Sequence, residues 1–283
     1  MNVFPAWFLN GLIAFVNAIL RVFHSKSAEK GSRTIDPDAF ELTFSDDFDG
    51  DAPDPAKWGA HERFGMRKGG YWSAAQARVE NGELVIRTQY RPDGEFGPGW
   101  YTCGLSTQHK FEQAYGYFEC RCVLPKGRGL WSAFWMTNDS VHDTSKNALL
   151  GAELDIMESP FWRLGGKKSW RVTQNIHFSG YDLKTRYKNI GVFRLGNDPY
   201  ENFNTYGLKW TPEEYVFYIN RREVARTAYG GVSTKPEYLI LSCEVDGGSG
   251  KPTFGWSGNI EKNDKSSFAA DFRVDYVRAY KLP

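Results

Sequence analysis

The run Ala152-Glu153-Leu154-Asp155-Ile156-Met157-Glu158-Ser159-Pro160 alternates acidic and apolar side chains and then breaks step. Alternation at a period of two marks a half-buried strand, with Glu153 and Asp155 on one face and Leu154 and Ile156 on the other. Strict alternation would send Glu158 to the apolar side. A β-bulge near Met157 adds one residue and returns Glu158 to the acidic face. Three carboxylates then converge on one surface. That is costly unless a proton is shared or a cation is bound, so their pKa values should be shifted.

Two carboxyl groups at that spacing suit glycoside hydrolysis by double displacement, one as nucleophile and the other as acid/base. The middle Asp155 would hold a proton or hydrogen bond between them. The rival chemistry is binding of a divalent metal by the three acids, which His177 could join. A solvated acidic edge strand is the plainest alternative, and the apolar back face of Leu154, Ile156 and Met157 argues against it.

Outward from this strand, alternating runs recur between turn clusters, the pattern of an all-β sandwich. It predicts strands over 84–88, 115–124, 130–136, 153–158, 173–178, 206–210, 215–219, 238–243 and 274–280. Asn81-Gly82, Thr211-Pro212-Glu213-Glu214 and Asp246-Gly247-Gly248 are among the turn signals between them. The long polar stretches 137–151 and 180–204 read as loops that wall a cleft. Ten Trp, 15 Tyr and 29 Gly in 283 residues agree with a β-rich chain full of tight turns. The aromatic side chains either fill a large core or stack on flat rings such as sugars. A net charge of +1 offers no electrostatic footprint for nucleic acid.

The four cysteines (Cys103, Cys120, Cys122, Cys243) are too few and scattered for a disulfide scaffold, and read as buried thiols. No Cys/His spacing marks a structural zinc site. The apolar run 6–23 carries Asn10, Asn17 and Arg21 on one stripe, which predicts an amphipathic helix over 1–24. It lacks the basic start and the small-residue cleavage site of an ordinary signal peptide. Three readings stay open for it: a membrane-associated helix, an export signal of unusual form and a helix packed on the domain. An exported or cell-envelope location is favoured over a cytoplasmic one. Residues 25–39 read as a polar linker, and 40–283 as a single domain.

The acidic run resembles the signature of glycoside hydrolase family 16, Glu-x-Asp-x-Glu or its bulged form Glu-x-Asp-x-x-Glu, and the match is to the bulged form. Phe44-Ser45-Asp46-Asp47-Phe48-Asp49-Gly50 with Lys57-Trp58 resembles the family's opening strand. Tyr115-Gly116-Tyr117-Phe118-Glu119-Cys120-Arg121 and Gly129-Leu130-Trp131-Ser132-Ala133-Phe134-Trp135-Met136 resemble two inner strands. Tyr206-Gly207-Leu208-Lys209-Trp210-Thr211-Pro212 and Asp275-Tyr276-Val277-Arg278-Ala279-Tyr280 follow in order. The likeness spans about Glu41 to Tyr280.

The resemblance implies a jelly-roll sandwich of two antiparallel sheets with a substrate cleft on the concave face. It implies a retaining endo-β-glycanase with Glu153 as nucleophile, Glu158 as acid/base and Asp155 assisting. Trp131, Trp135, Asn175 and His177 would bind the polysaccharide, and β-1,3-glucan is the first expectation. A β-galactan or agar-type polymer, transglycosylation, or glycan binding without turnover are the alternatives. Catalysis would need no cofactor. A structural calcium would sit at Asp275 with a backbone carbonyl near Gly82. The expected assembly is a monomer, with membrane association only through residues 6–23. Gly70-Tyr71-Trp72-Ser73-Ala74-Ala75-Gln76 lacks the Asn and Glu usual in laminarinase-type members, which speaks against strict β-1,3-glucan specificity. His61, Arg63, Arg67 and Lys68 fall near the expected cleft rim, where they would suit a sulfated galactan.

Overall fold

The computed structural model describes residues 24–62, 64–143, 147–164, 167–180, 186–247 and 256–283. Two sheets face each other across an apolar core. Among the described residues, the sheet that carries the acids has nine strands. Its central order runs Arg186–Arg194, Arg171–Phe178, Glu153–Glu158, Leu130–Thr137, Glu237–Val245. The opposing sheet has 11 strands, with Asn204–Trp210, Gly116–Val123, Ala269–Lys281 and Glu83–Arg91 side by side at its centre.

Each of the nine strands read from alternation is present, because the apolar member of each pair has a core to enter. In Gly116–Val123, Phe118, Cys120 and Cys122 enter the main core while Tyr117 joins Val216, Tyr218 and Tyr280 on the far face. All four cysteines are free and buried. Two pairings are parallel, Lys26–Ser27 on Arg186–Arg194 and Gly70–Trp72 on Gly99–Thr102, so the sheets are mixed where purely antiparallel ones were expected.

Two readings from composition need correction. The stretch 180–204 is not all loop, because Arg186–Arg194 is a nine-residue strand beside Arg171–Phe178. Its outward face is polar, so its composition resembles that of a loop. Residues 25–39 are not a free linker either. Lys26–Ser27 adds to the sheet edge, Ala28 is buried in the core, and Thr34 bridges to Arg222. Ile35 donates its N–H to Arg221 O at 3.0 Å, and Ile35 and Phe40 pack on the Tyr117 cluster. Edge addition is carried by backbone hydrogen bonds, which any polar sequence can supply.

Among the described residues the helical elements are short 3-10 turns such as Asp139–His142, and no helix is long and apolar enough to cross a membrane. The amphipathic helix expected over 1–24 lies outside the described residues except for His24.

The N-terminal strap yields a direct test. A chain beginning at Ile35 should melt roughly 2–6 °C below one beginning at Ser25, since losing Ala28 and the edge pairing removes about 1–2 kcal/mol. Thermal denaturation of the two chains decides it, and equal melting temperatures would show that the strap contributes nothing.

Candidate active site

The acidic strand breaks register on both sides. Against Leu130–Thr137, Trp135 pairs with Asp155 and Phe134 with Met157, leaving Ile156 as the extra residue. Against Arg171–Phe178, Asp155 pairs with Asn175 and Glu158 with Thr173, so two residues oppose Gln174. This is the expected bulge. Ile156 and Met157 are both fully buried in the core, while Asp155 (4% exposed) and Glu158 (3%) face the cleft beside the half-buried Glu153.

The cleft encloses about 860 Å³. Its lining reaches beyond the acids, to Asn138 and Asp139 past the end of Leu130–Thr137, to Phe161 past the acidic strand, and across the sheet from Tyr187 to Glu244. All seven residues singled out for catalysis or sugar contact line it.

Glu158 is held on both oxygens. Trp131 Nε1 donates to its Oε1 at 2.9 Å, and Asn175 Nδ2 donates to its Oε2. The Asn175 amide is itself oriented, because Asn189 Nδ2 donates to Asn175 Oδ1 at 2.8 Å. Two N–H donors favour the ionised carboxylate, whereas burial disfavours it. Burial prevails, reinforced by the neighbouring Asp155, and Glu158 is raised well above the ordinary carboxyl range. Asp155 is raised likewise, by burial and then by Glu153. Both carboxyls therefore hold their protons to higher pH than an ordinary carboxylic acid does.

His177 faces the acids from the next strand, its Nε2 3.4 Å from Asp155 Oδ2 and 3.9 Å from Glu153 Oε1. Its ring lies nearly parallel to Tyr187, 5.6 Å away. The two tryptophans differ in character. Trp131 is partly open, with Lys68 Nζ 5.2 Å above its ring and Trp256 edge-on at 5.2 Å. Trp135 is only 7% exposed, packed edge-on to His61 and bonded to Ser242, so it forms the cleft floor more than a stacking platform.

Several lining groups escaped sequence reasoning. Tyr187 and Asn189 stand opposite His177 and Asn175 in register, on a strand whose polar composition read as a loop, so that only the fold brings them to the cleft. Glu244 faces the cleft from Glu237–Val245 and accepts from Arg67 Nε at 2.9 Å. Burial raises its pKa, while Arg67 and Lys68 pull it back. His61, read as a rim residue, is buried, and burial and Arg67 hold its imidazole down at about 4. Arg63 lies outside the described residues.

The expected calcium pair is elsewhere. Asp275 lies on the opposing sheet, and Arg121 Nη1 donates to its Oδ2 at 2.5 Å. Gly82 sits in the turn between Ala77–Glu80 and Glu83–Arg91. A guanidinium already meets the carboxylate, and calcium requires six to eight oxygen ligands. As arranged, these residues do not fit a calcium site.

With this geometry in place, comparison with known proteins is informative. A family model described as "Beta-porphyranase A-D, GH16 domain" matches residues 41–282, almost the whole sandwich. The chain belongs to glycoside hydrolase family 16. It is 30% identical over 261 residues to a "Beta-glucanase" of Rhodothermus marinus, covering 86% of this chain and 85% of that one. It is 28% identical to the "Endo-1,3-1,4-beta-glycanase EglC" of Rhizobium meliloti, covering 95% of this chain but 57% of the relative. The laminarinase catalytic domain of Thermotoga maritima superposes with a TM-score of 0.67 at 26% identity, over 86% of this chain and 99% of that domain. The family-16 chain is thus a glycoside hydrolase on a β-sandwich.

The buried proton gives a stability test. The unfolded chain ionises Glu158 near 4.5, whereas the native state keeps it protonated to higher pH. The native state then binds more protons than the unfolded one, so this group lowers stability as pH rises. Glu158→Gln stays neutral throughout. Its melting temperature should exceed that of the wild type by a margin that widens from mildly acidic to mildly alkaline buffer. A constant margin would mean that Glu158 is already ionised in the folded protein.

Proposed function

We propose that the protein is a retaining endo-β-glycanase that cleaves β-1,3-glucan by double displacement. Glu153 attacks the anomeric carbon as a carboxylate. Glu158 donates its proton to the leaving oxygen and then takes one from water, and Asp155 lies between them to hold a hydrogen bond. The observation that carries this reading is the buried Glu158, gripped by Trp131 and Asn175 one bulge away from Glu153. A cleft whose lining reaches well beyond the acids suits cutting within a chain. The glucanase and laminarinase descriptions of the relatives support the glucan assignment.

A β-galactan is the second reading. The porphyranase description of the family model favours it, whereas Lys68, whose exposed ammonium lies over Trp131 at the cleft, is already 3.9 Å from Glu244 Oε2. Arg67 adds little to it, because Glu244 and Glu62 already balance its charge.

Reducing-end release from laminarin, mixed-linkage glucan, agarose and porphyran tests both readings. Laminarin cleavage with initial retention of the anomeric configuration by NMR is expected, with a loss of roughly 10²–10⁴-fold in Glu158→Gln. Near wild-type turnover in that variant would remove Glu158 from the acid/base role, and release from the galactans alone would select the second reading.

Trp131→Phe supplies a finer test. It keeps a ring but deletes a donor to the charged form of Glu158, so the pKa of the acid should rise further. The alkaline limb of the kcat/KM profile should move to higher pH, and an unmoved limb would mean that the indole N–H does not tune the acid.

A further inference from the structure

The register that gathers the acids also sets an imidazole against them. His177 pairs directly with Glu153 across the sheet. One ligand atom from each of Glu153, Asp155 and His177 lies within 4.8 Å of the others, and no other such trio of His, Cys, Asp or Glu occurs among the described residues. We propose that these three side chains form a binding site for a four-coordinate divalent cation, zinc(II) being the type case, whose occupation shuts the cleft to catalysis.

Bond lengths favour such an ion. Zinc binds imidazole nitrogen and carboxylate oxygen at about 2.0–2.2 Å, which puts neighbouring ligand atoms of a tetrahedron roughly 3.3–3.6 Å apart. The gap from His177 Nε2 to Asp155 Oδ2 is already 3.4 Å. That from Nε2 to Glu153 Oε1 is 3.9 Å and needs only a small closure. For a direct hydrogen bond, 3.4 Å is long.

The second observation is Asp155 Oδ2 itself. It is buried with no hydrogen-bond donor, on a side chain 6% exposed, and it points into the trio. A buried polar atom without a partner is a costly arrangement, which a cation relieves by taking the place of any proton on the carboxyl. Calcium and magnesium are poorer candidates, because they require six or more oxygens where this site offers two carboxylates and a nitrogen. The fourth position would open on the cleft and take water. A metal on Glu153 Oε1 ties up a carboxylate that the proposed reaction needs free.

The test does not depend on which glycan is cleaved, or on turnover at all. Calorimetric titration of chelator-treated full-length protein with zinc chloride should show one-to-one binding. Affinity should fall about 100-fold or more in His177→Ala and in Asp155→Asn, since losing a ligand costs at least what losing an outer-shell partner does. Cobalt(II) in place of zinc should give the intense visible bands of four-coordinate geometry, absent in both variants. Thermal melts confirm that the variants fold, and His177→Gln replaces His177→Ala should the latter fail to. Wild-type affinity in folded variants, no saturable binding in the wild type, or the weak pale spectrum of six-coordinate cobalt would each overturn the proposal.

Discussion

The bulge at Ile156 and Met157 is the constraint on which the rest of the site depends. It resolves two demands that a regular strand cannot meet together. Leu154, Ile156 and Met157 must enter the core, and Glu153, Asp155 and Glu158 must share the opposite face. Burying the three apolar side chains contributes about 1.5–3 kcal/mol each, enough to hold the extra residue in place against the loss of regular pairing. The same six residues paired without the bulge would send Glu158 into the core and empty the cleft of its best-buried acid.

Crowding carboxyls at a buried surface sets the electrostatics of everything near it. A higher proton affinity of Asp155 and Glu158 is one response to that repulsion. Neighbouring strands relieve more with directed dipoles, from Trp131 on one side and the Asn189–Asn175 chain on the other. Farther along the cleft the same problem is solved differently, since Glu244 meets the Arg67 guanidinium and the Lys68 ammonium. The cleft therefore separates a buried acidic centre from a charge-balanced wall. That division suits a polymer whose reacting bond sits at the acids while its flanking units lie against polar and aromatic surface.

The sheet edge matters to the site as well. Asn189 and Tyr187 reach the cleft only because Arg186–Arg194 is paired to Arg171–Phe178, and the other side of that strand is covered by Lys26–Ser27. A segment with no chemistry of its own thus covers the edge of a strand that orients the amide on Glu158.

Local sequence carried a large part of this. Alternation located the central strands, and the broken step between Asp155 and Glu158 located the bulge and the shared face of the three acids. Trp131, Asn175 and His177 were placed at the cleft by the resemblance to the family's motifs. The sequence could not show what depends on which strands become neighbours. Arg186–Arg194 looked like a loop because an edge strand with a wet face needs no apolar alternation, and residues 25–39 looked like a linker because their pairing uses only backbone groups. The Arg67–Glu244 pair joins residues 177 positions apart, and Arg121–Asp275 joins residues 154 apart. Side-chain pattern is a local property and fixes which face a residue takes. The identity of the group across the gap, and with it the protonation of Glu158 and the counter-ion of Asp275, is decided by the register of strands far apart in the chain.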